Sequence, residues 1–228
     1  MNYKEVMAEL EAMGTEQNRK VYGRHGVSGK MYGVSYANLG KLKKKIKTDH
    51  ALAERLWASG NHDARVLATM IADPAQITGP ELEAWIKDLD NYVLTDAFSG
   101  LAEKTAHAKA KMRKWTKSKE EWVGRAGYLL VARIAMSDES LGDDELEERL
   151  AIIEAGIHNA KNRVRDAMNN ALIAIALKNQ KLERKAVAAA KRIGKVDVDH
   201  GETGCKTPEA VAYIKKAKAR GRKGRKSC

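Results

Sequence analysis

The sequence predicts an all-α protein assembled from paired helices, and three observations carry that prediction. Ala, Leu, Lys and Glu dominate a chain of 228 residues with only three prolines and one Phe, a composition that favours helix. Apolar residues recur at spacings of three and four, the period of a helix with one buried face. No stretch concentrates Val, Ile, Thr and aromatics in alternation, so no strand is expected.

The elements follow in order. A helix over 2–13 is ended by Gly14, and a glycine-rich stretch follows at Gly23, Gly26, Gly29 and Gly33. The next helix begins near Ser35 and carries the basic run Lys43, Lys44 and Lys45. Asp49 is a natural N-cap for a helix over 50–57, with Gly60 as its stop. A partner spans 61–72 and halts at Asp73 and Pro74. Thr78, Gly79 and Pro80 start another helix, where the missing N–H of Pro80 costs nothing in the first turn. A helix over 90–104 comes next. Ser118 and Glu121 have the capping-box spacing for a helix reaching Met136. Further helices are expected over 143–160, 163–178 and 181–193, then a loop over 197–207 and a short helix from near Pro208. The basic run over 215–226 has little apolar surface to bury and is expected to be flexible.

Helix pairs beginning near Asp49, Thr78, Ser118 and Arg163 recur every 29 to 45 residues, about the size of a HEAT-type unit. The period admits an ordinary helical bundle or a HEAT-like α-α superhelical repeat, a solenoid. The expected division is 1–194 as one helical-repeat domain, 195–214 as a loop and short-helix extension, and 215–228 as a basic flexible tail.

Charge narrows the partner. The net charge is +12, of which residues 178–228 carry +11 and the first 177 residues about +1. A near-neutral body with a strongly basic end suggests a polyanion, most often nucleic acid. The two cysteines, Cys205 and Cys228, give no disulfide framework. No run of about 20 apolar residues occurs, so no membrane association is expected and a cytoplasmic monomer is. No His-x-x-x-His pair occurs, and Asp199, His200 and Cys205 make at most a partial set. No metal and no cofactor are therefore expected. The Gly23–Gly29 stretch could cradle phosphate through backbone N–H groups, but it lacks a Lys-Ser ending and reads as a linker.

Three helices offer polar residues away from their apolar stripes. Over 90–104, Val93, Leu94, Ala97, Phe98, Leu101 and Ala102 share one face while Tyr92, Asp96, Ser99 and Glu103 point away. Tyr92 and Asp96 are four apart and stand side by side. Over 118–136, Arg125 and Tyr128 lie off the stripe, and over 163–178 so do Asp166, Asn169 and Asn170. Helical period permits Tyr92, Asp96, Arg125 and Asn170 to share one groove.

At these residues the chain resembles the AlkD-type DNA alkylation repair glycosylase family, from roughly Tyr32 to Lys195. The likeness rests on Tyr32-Gly33-Val34 ahead of a helix, Leu56-Trp57 followed by Asp63-Ala64-Arg65, the Tyr92…Asp96 spacing, and Trp122-Val123-Gly124-Arg125-Ala126. It implies an α-α superhelix that grips double-stranded DNA and hydrolyses the N-glycosidic bond of cationic N3- and N7-alkylated purines. Asp96 would stabilise the positive charge developing on the sugar, with Tyr92 as an aromatic wall. Arg125 would hold the DNA backbone, with Tyr128, Asn169, Asn170 and the Lys43–Lys45 run as further DNA contacts. Two departures stand out. The first active-site aromatic is Tyr92 where Trp is frequent, and the second falls at Asn169 or Asn170, which has no π-face. The resemblance therefore leaves open a glycosylase, a catalytically silent DNA-structure binder and, third, a protein-interaction scaffold.

Overall fold

Polar side chains standing just before apolar runs set most of the helix starts. In the computed structural model, which describes residues 1–138 and 141–224 and the side chains of those up to 220, thirteen α-helices and no strand are found. They fall into two compact units, 1–108 with 200–204, and 109–199 with 205–228. No described helix is long and apolar enough to cross a membrane.

The first unit contains α1 (Tyr3–Met13), α2 (Glu16–Arg24), α3 (Tyr36–Ile46), α4 (His50–Ala58), α5 (His62–Ile71), α6 (Gly79–Trp85) and α7 (Tyr92–Ala102). Asn2, Thr15, Ser35, Asp49, Asn61, Thr78 and Asn91 each accept the N–H three residues on, satisfying one orphan donor per helix. α5 is the central element: α3, α4 and α7 pack on it, and Val66, Leu67, Ala68 and Ile71 are buried there. Trp57 of α4 stacks on Trp85 with ring centroids 4.2 Å apart and planes at 6°. Its Nε1 donates to Asp88 at 2.8 Å. Arg65 donates to the Trp57 carbonyl and lies over the same indole. The Leu56-Trp57 and Asp63-Ala64-Arg65 segments are therefore parts of one packed junction.

The second unit holds α8 (Ala108–Trp115) beyond its first residue, α9 (Glu121–Ser137), α10 (Asp143–Gly156), α11 (Asn162–Lys178), α12 (Gln180–Ile193) and α13 (Ala210–Gly224). α11 is its spine, packed against α9, α10, α12 and α13. Gly127 of α9 is required by close approach, since a Cβ there would stand 2.5 Å from the Thr116 nitrogen.

Several elements differ from the expectation. α2 and α8 were not anticipated: each is short and buries little beyond Tyr22, or Met112 and Trp115. α9 has no side-chain cap, because Ser118 Oγ accepts the Glu120 N–H instead of the Glu121 N–H. The last helix starts at Ala210, and Ile214 buries against the unit. It continues to Gly224 through part of the run expected to be flexible; 225–228 lie outside the described residues.

Candidate nucleic-acid interface

In α7 the buried face is turned relative to the expected stripe. Leu94, Thr95, Phe98, Ser99, Leu101 and Ala102 are buried, while Val93 and Ala97 are half-buried beside Tyr92 and Asp96. Thr95 and Ser99 can be buried because their hydroxyls donate to the carbonyls of Asn91 and Thr95, each at 2.7 Å. Tyr92 and Asp96 remain one turn apart on the same side of the helix, both half-buried.

Residues far away in sequence furnish the surroundings of this pair. The loop after α2 carries His25, whose Nδ1 shares a hydrogen bond with the Tyr92 hydroxyl. Their rings meet edge to face at 5.7 Å. Tyr36, at the start of α3, is 47% exposed. Its phenol is pushed up to about 12, first by burial and then by the charges of Tyr22, Asp96 and Asp63, so at neutral pH it is a donor rather than an anion. Asp96 thus has a second aromatic, Tyr36, within electrostatic reach in its own unit. Neither His25 nor Tyr36 is marked by a helical stripe in the sequence: His25 lies in the Gly23–Gly29 stretch that reads as a linker, and Tyr36 follows the Tyr32-Gly33-Val34 motif.

The loop leading into Tyr36 is fixed by Asp63. This carboxylate is 1% exposed and accepts the N–H groups of Tyr32, Gly33 and Val34 at 2.6, 3.0 and 2.8 Å. The Tyr22 hydroxyl donates to the Val34 carbonyl at 2.6 Å. Burial, then the charge of Asp63, raises that phenol to about 12. Gly33 sits at φ +80°, and a Cβ there would meet the Thr15 carbonyl oxygen at 2.6 Å. The buried His62 packs its ring on Tyr22 at 5.5 Å, and desolvation lowers its pKa, which favours the neutral imidazole.

The residues expected from the later helices belong to the second unit. Arg125 is 3% exposed rather than on an open face. Its guanidinium donates to Asp166 at 2.7 Å and to the Arg163 carbonyl at 3.0 Å, bracing α9 against α11. Tyr128 is 4% exposed and lines a cleft of about 380 Å³ with Lys119, Lys161, Val164 and Met168. Asn169 is 2% exposed and donates to the Pro208 carbonyl at 3.0 Å, which anchors the loop before α13. Asn170 is half-buried. Lys43, Lys44 and Lys45 are exposed in the last turn of α3, with Lys45 held by Glu9 at 2.7 Å.

Comparison with known proteins agrees on the family. The profile described as "DNA alkylation repair enzyme" matches residues 6–214. The uncharacterized proteins Lin0241 of Listeria innocua and Lmo0209 of Listeria monocytogenes are each 28% identical over 226 residues, covering 96% of this chain and 99% of theirs. One solved structure is described as "a new family of proteins related to the HEAT-like repeat DNA glycosylases with affinity for branched DNA structures". It matches with a TM-score of 0.89 and 32% identity over 97% of this chain and 96% of its own. The fold is thus the HEAT-like helical repeat, not an unrelated bundle.

Proposed function

Because the chain belongs to the DNA alkylation repair enzyme family, we propose that it is a DNA-binding protein that grips branched double-stranded DNA through its phosphates. The end-to-end likeness to a structure whose description names affinity for branched DNA carries the reading. A junction brings phosphates of several arms within reach of one surface, so a protein of net charge +12 gains more counterion release there than on a straight duplex. Lys43 and Lys44 of α3 and Lys215, Lys216 and Arg220 of α13 are exposed and available for such contacts. On this reading the protein works as a monomer on cytoplasmic DNA. The test is fluorescence anisotropy with a four-way junction and a linear duplex of equal length at one salt concentration. The junction should bind at least ~10-fold tighter, about 1.4 kcal/mol; equal affinities overturn the reading.

A second reading rests on Asp96, one turn from Tyr92 and within electrostatic reach of Tyr36. Excision of a cationic N3- or N7-alkylated purine needs a carboxylate beside the sugar as positive charge develops, and an aromatic face adds a cation–π contribution. Tyr36, within electrostatic reach of Asp96, is the ring this reading assigns to the place that Asn169 and Asn170 cannot fill. On this reading the wild type releases free 7-methylguanine or 3-methyladenine from duplex DNA. Asp96→Asn keeps most DNA affinity, which phosphate contacts supply, while base release falls by at least ~100-fold, about 2.7 kcal/mol. Release undiminished in the variant removes Asp96 from the site; no release by the wild type leaves DNA binding alone.

A further inference from the structure

α4 and α6 of the first unit bring three metal-capable side chains to one point. His50 is the first residue of α4, Glu54 stands one turn further along, and Glu81 lies in the first turn of α6. Each offers a ligand atom, and these atoms lie within 4.8 Å of one another. The His50 Nε2 to Glu81 Oε1 distance is 3.6 Å. That is too long for a hydrogen bond. It is close to the edge of roughly 3.3–3.5 Å that separates two ligands of a tetrahedral ion with bonds of about 2.0–2.1 Å.

Two of the three donors are enclosed and held, while Glu54 is exposed. Glu81 closes the capping box of α6 with one oxygen, Oε2, which accepts the Thr78 N–H at 3.3 Å. Its other oxygen, Oε1, is buried with no hydrogen-bond partner, and so is His50 Nδ1. The two side chains are only 13% and 14% exposed. A buried carboxylate oxygen left without a hydrogen bond is costly, and a cation seated between Glu81 Oε1 and His50 Nε2 offsets that cost.

We propose that His50 Nε2, Glu54 and Glu81 Oε1 form a binding site for a divalent transition metal of the zinc class. One imidazole and two carboxylates suit that class, and three protein ligands leave a fourth position for water. The ion ties α4 to α6 and stabilises the folded first unit by mass action. No paired-histidine spacing marks this set in the sequence: Glu54 takes the i+4 position from His50, and Glu81 comes from another helix.

The experiment uses the full chain treated with a chelator and then titrated with Zn²⁺ by calorimetry and with Co²⁺ by visible absorption. One equivalent should bind with a Kd of about 10 μM or tighter, with a rise in melting temperature. Glu81→Gln is the informative variant, because Gln also completes a capping box and the helix start is preserved. Glu81→Gln and Glu54→Gln should each weaken binding at least ~10-fold, as expected for loss of a direct ligand, while Cys205→Ser leaves it unchanged. Absence of saturable binding overturns the site. So does binding that survives both glutamine variants, or binding lost in Cys205→Ser, which would put the metal elsewhere.

Discussion

Asp63 is an aspartate with 1% exposure in the first turn of α5, and a carboxylate removed from water costs several kcal/mol unless its oxygens are filled. Three backbone N–H groups of the loop before α3 fill them, and the positive end of α5 favours the charge. Asn at this position offers one accepting oxygen and turns an NH2 toward N–H donors. Asp63→Asn should therefore destabilise the protein by about 2–4 kcal/mol in urea unfolding; a change below ~1 kcal/mol would show that the loop does not depend on the carboxylate. Because the loop leads directly into Tyr36, residual folded variant should also lose whatever binding the aromatic pair supports. The pair Tyr92 and Asp96 was legible in sequence because both lie on one helix at a four-residue spacing. The burial of Arg125 was not legible, for the opposite reason. Its counter-charge, Asp166, lies 41 residues away, and no local period reveals that an arginine will be buried with a partner.

At the scale of elements, legibility followed capping and apolar payload. α4, α5, α6 and α7 are capped at Asp49, Asn61, Thr78 and Asn91, within about a residue or two of the expected starts. α2 escaped because Gly23 and four charged residues leave Tyr22 as its main buried residue. α10 is a different case, with little apolar segregation along its length. Its polar face is matched to other helices by ion pairs: Glu145 to Arg113 of α8, Glu147 to Lys181 and Lys185 of α12, and Glu154 to Arg192 of α12. Hydrogen bonds from these partners hold the Glu145, Glu147 and Glu154 carboxyls below the usual 4.5. A carboxyl depressed on folding contributes stability that is present above its unfolded value and lost as pH falls through the folded one. The melting temperature should therefore drop as pH falls below 4.5, and the triple variant E145Q/E147Q/E154Q should show a shallower drop. These pairs are mostly exposed, so high salt should narrow the difference. Parallel pH curves for the two proteins would mean that other carboxylates govern the acid limb.

For the molecule as a whole, the question is how much of the DNA grip lies in the folded body and how much in the C-terminal basic run. The chain has eight Lys and Arg residues over 215–228, yet the helix that begins this region is anchored. Ala210 and Ile214 are buried, and Lys218 is ion-paired with Glu183 of α12. Ending the chain after Ile214 keeps both buried anchors and removes all eight charges. The lost pair with Glu183 is partly exposed, so stability should change by no more than about 1 kcal/mol. DNA affinity should change much more, because each phosphate contact releases counterions and contributes about 0.9 to the slope of log affinity against log salt. If three or more of the eight residues touch phosphate, the slope should shrink in magnitude by roughly 3 or more. The shrinkage should be larger on a four-way junction than on a linear duplex if the run reaches a second arm. A truncated protein with wild-type affinity and slope would put the grip in the folded body, with Lys43 and Lys44 of α3 next to be tested. A truncated protein that loses affinity equally for both DNA forms would make the run a general phosphate anchor, with branch preference arising from the helical repeat itself.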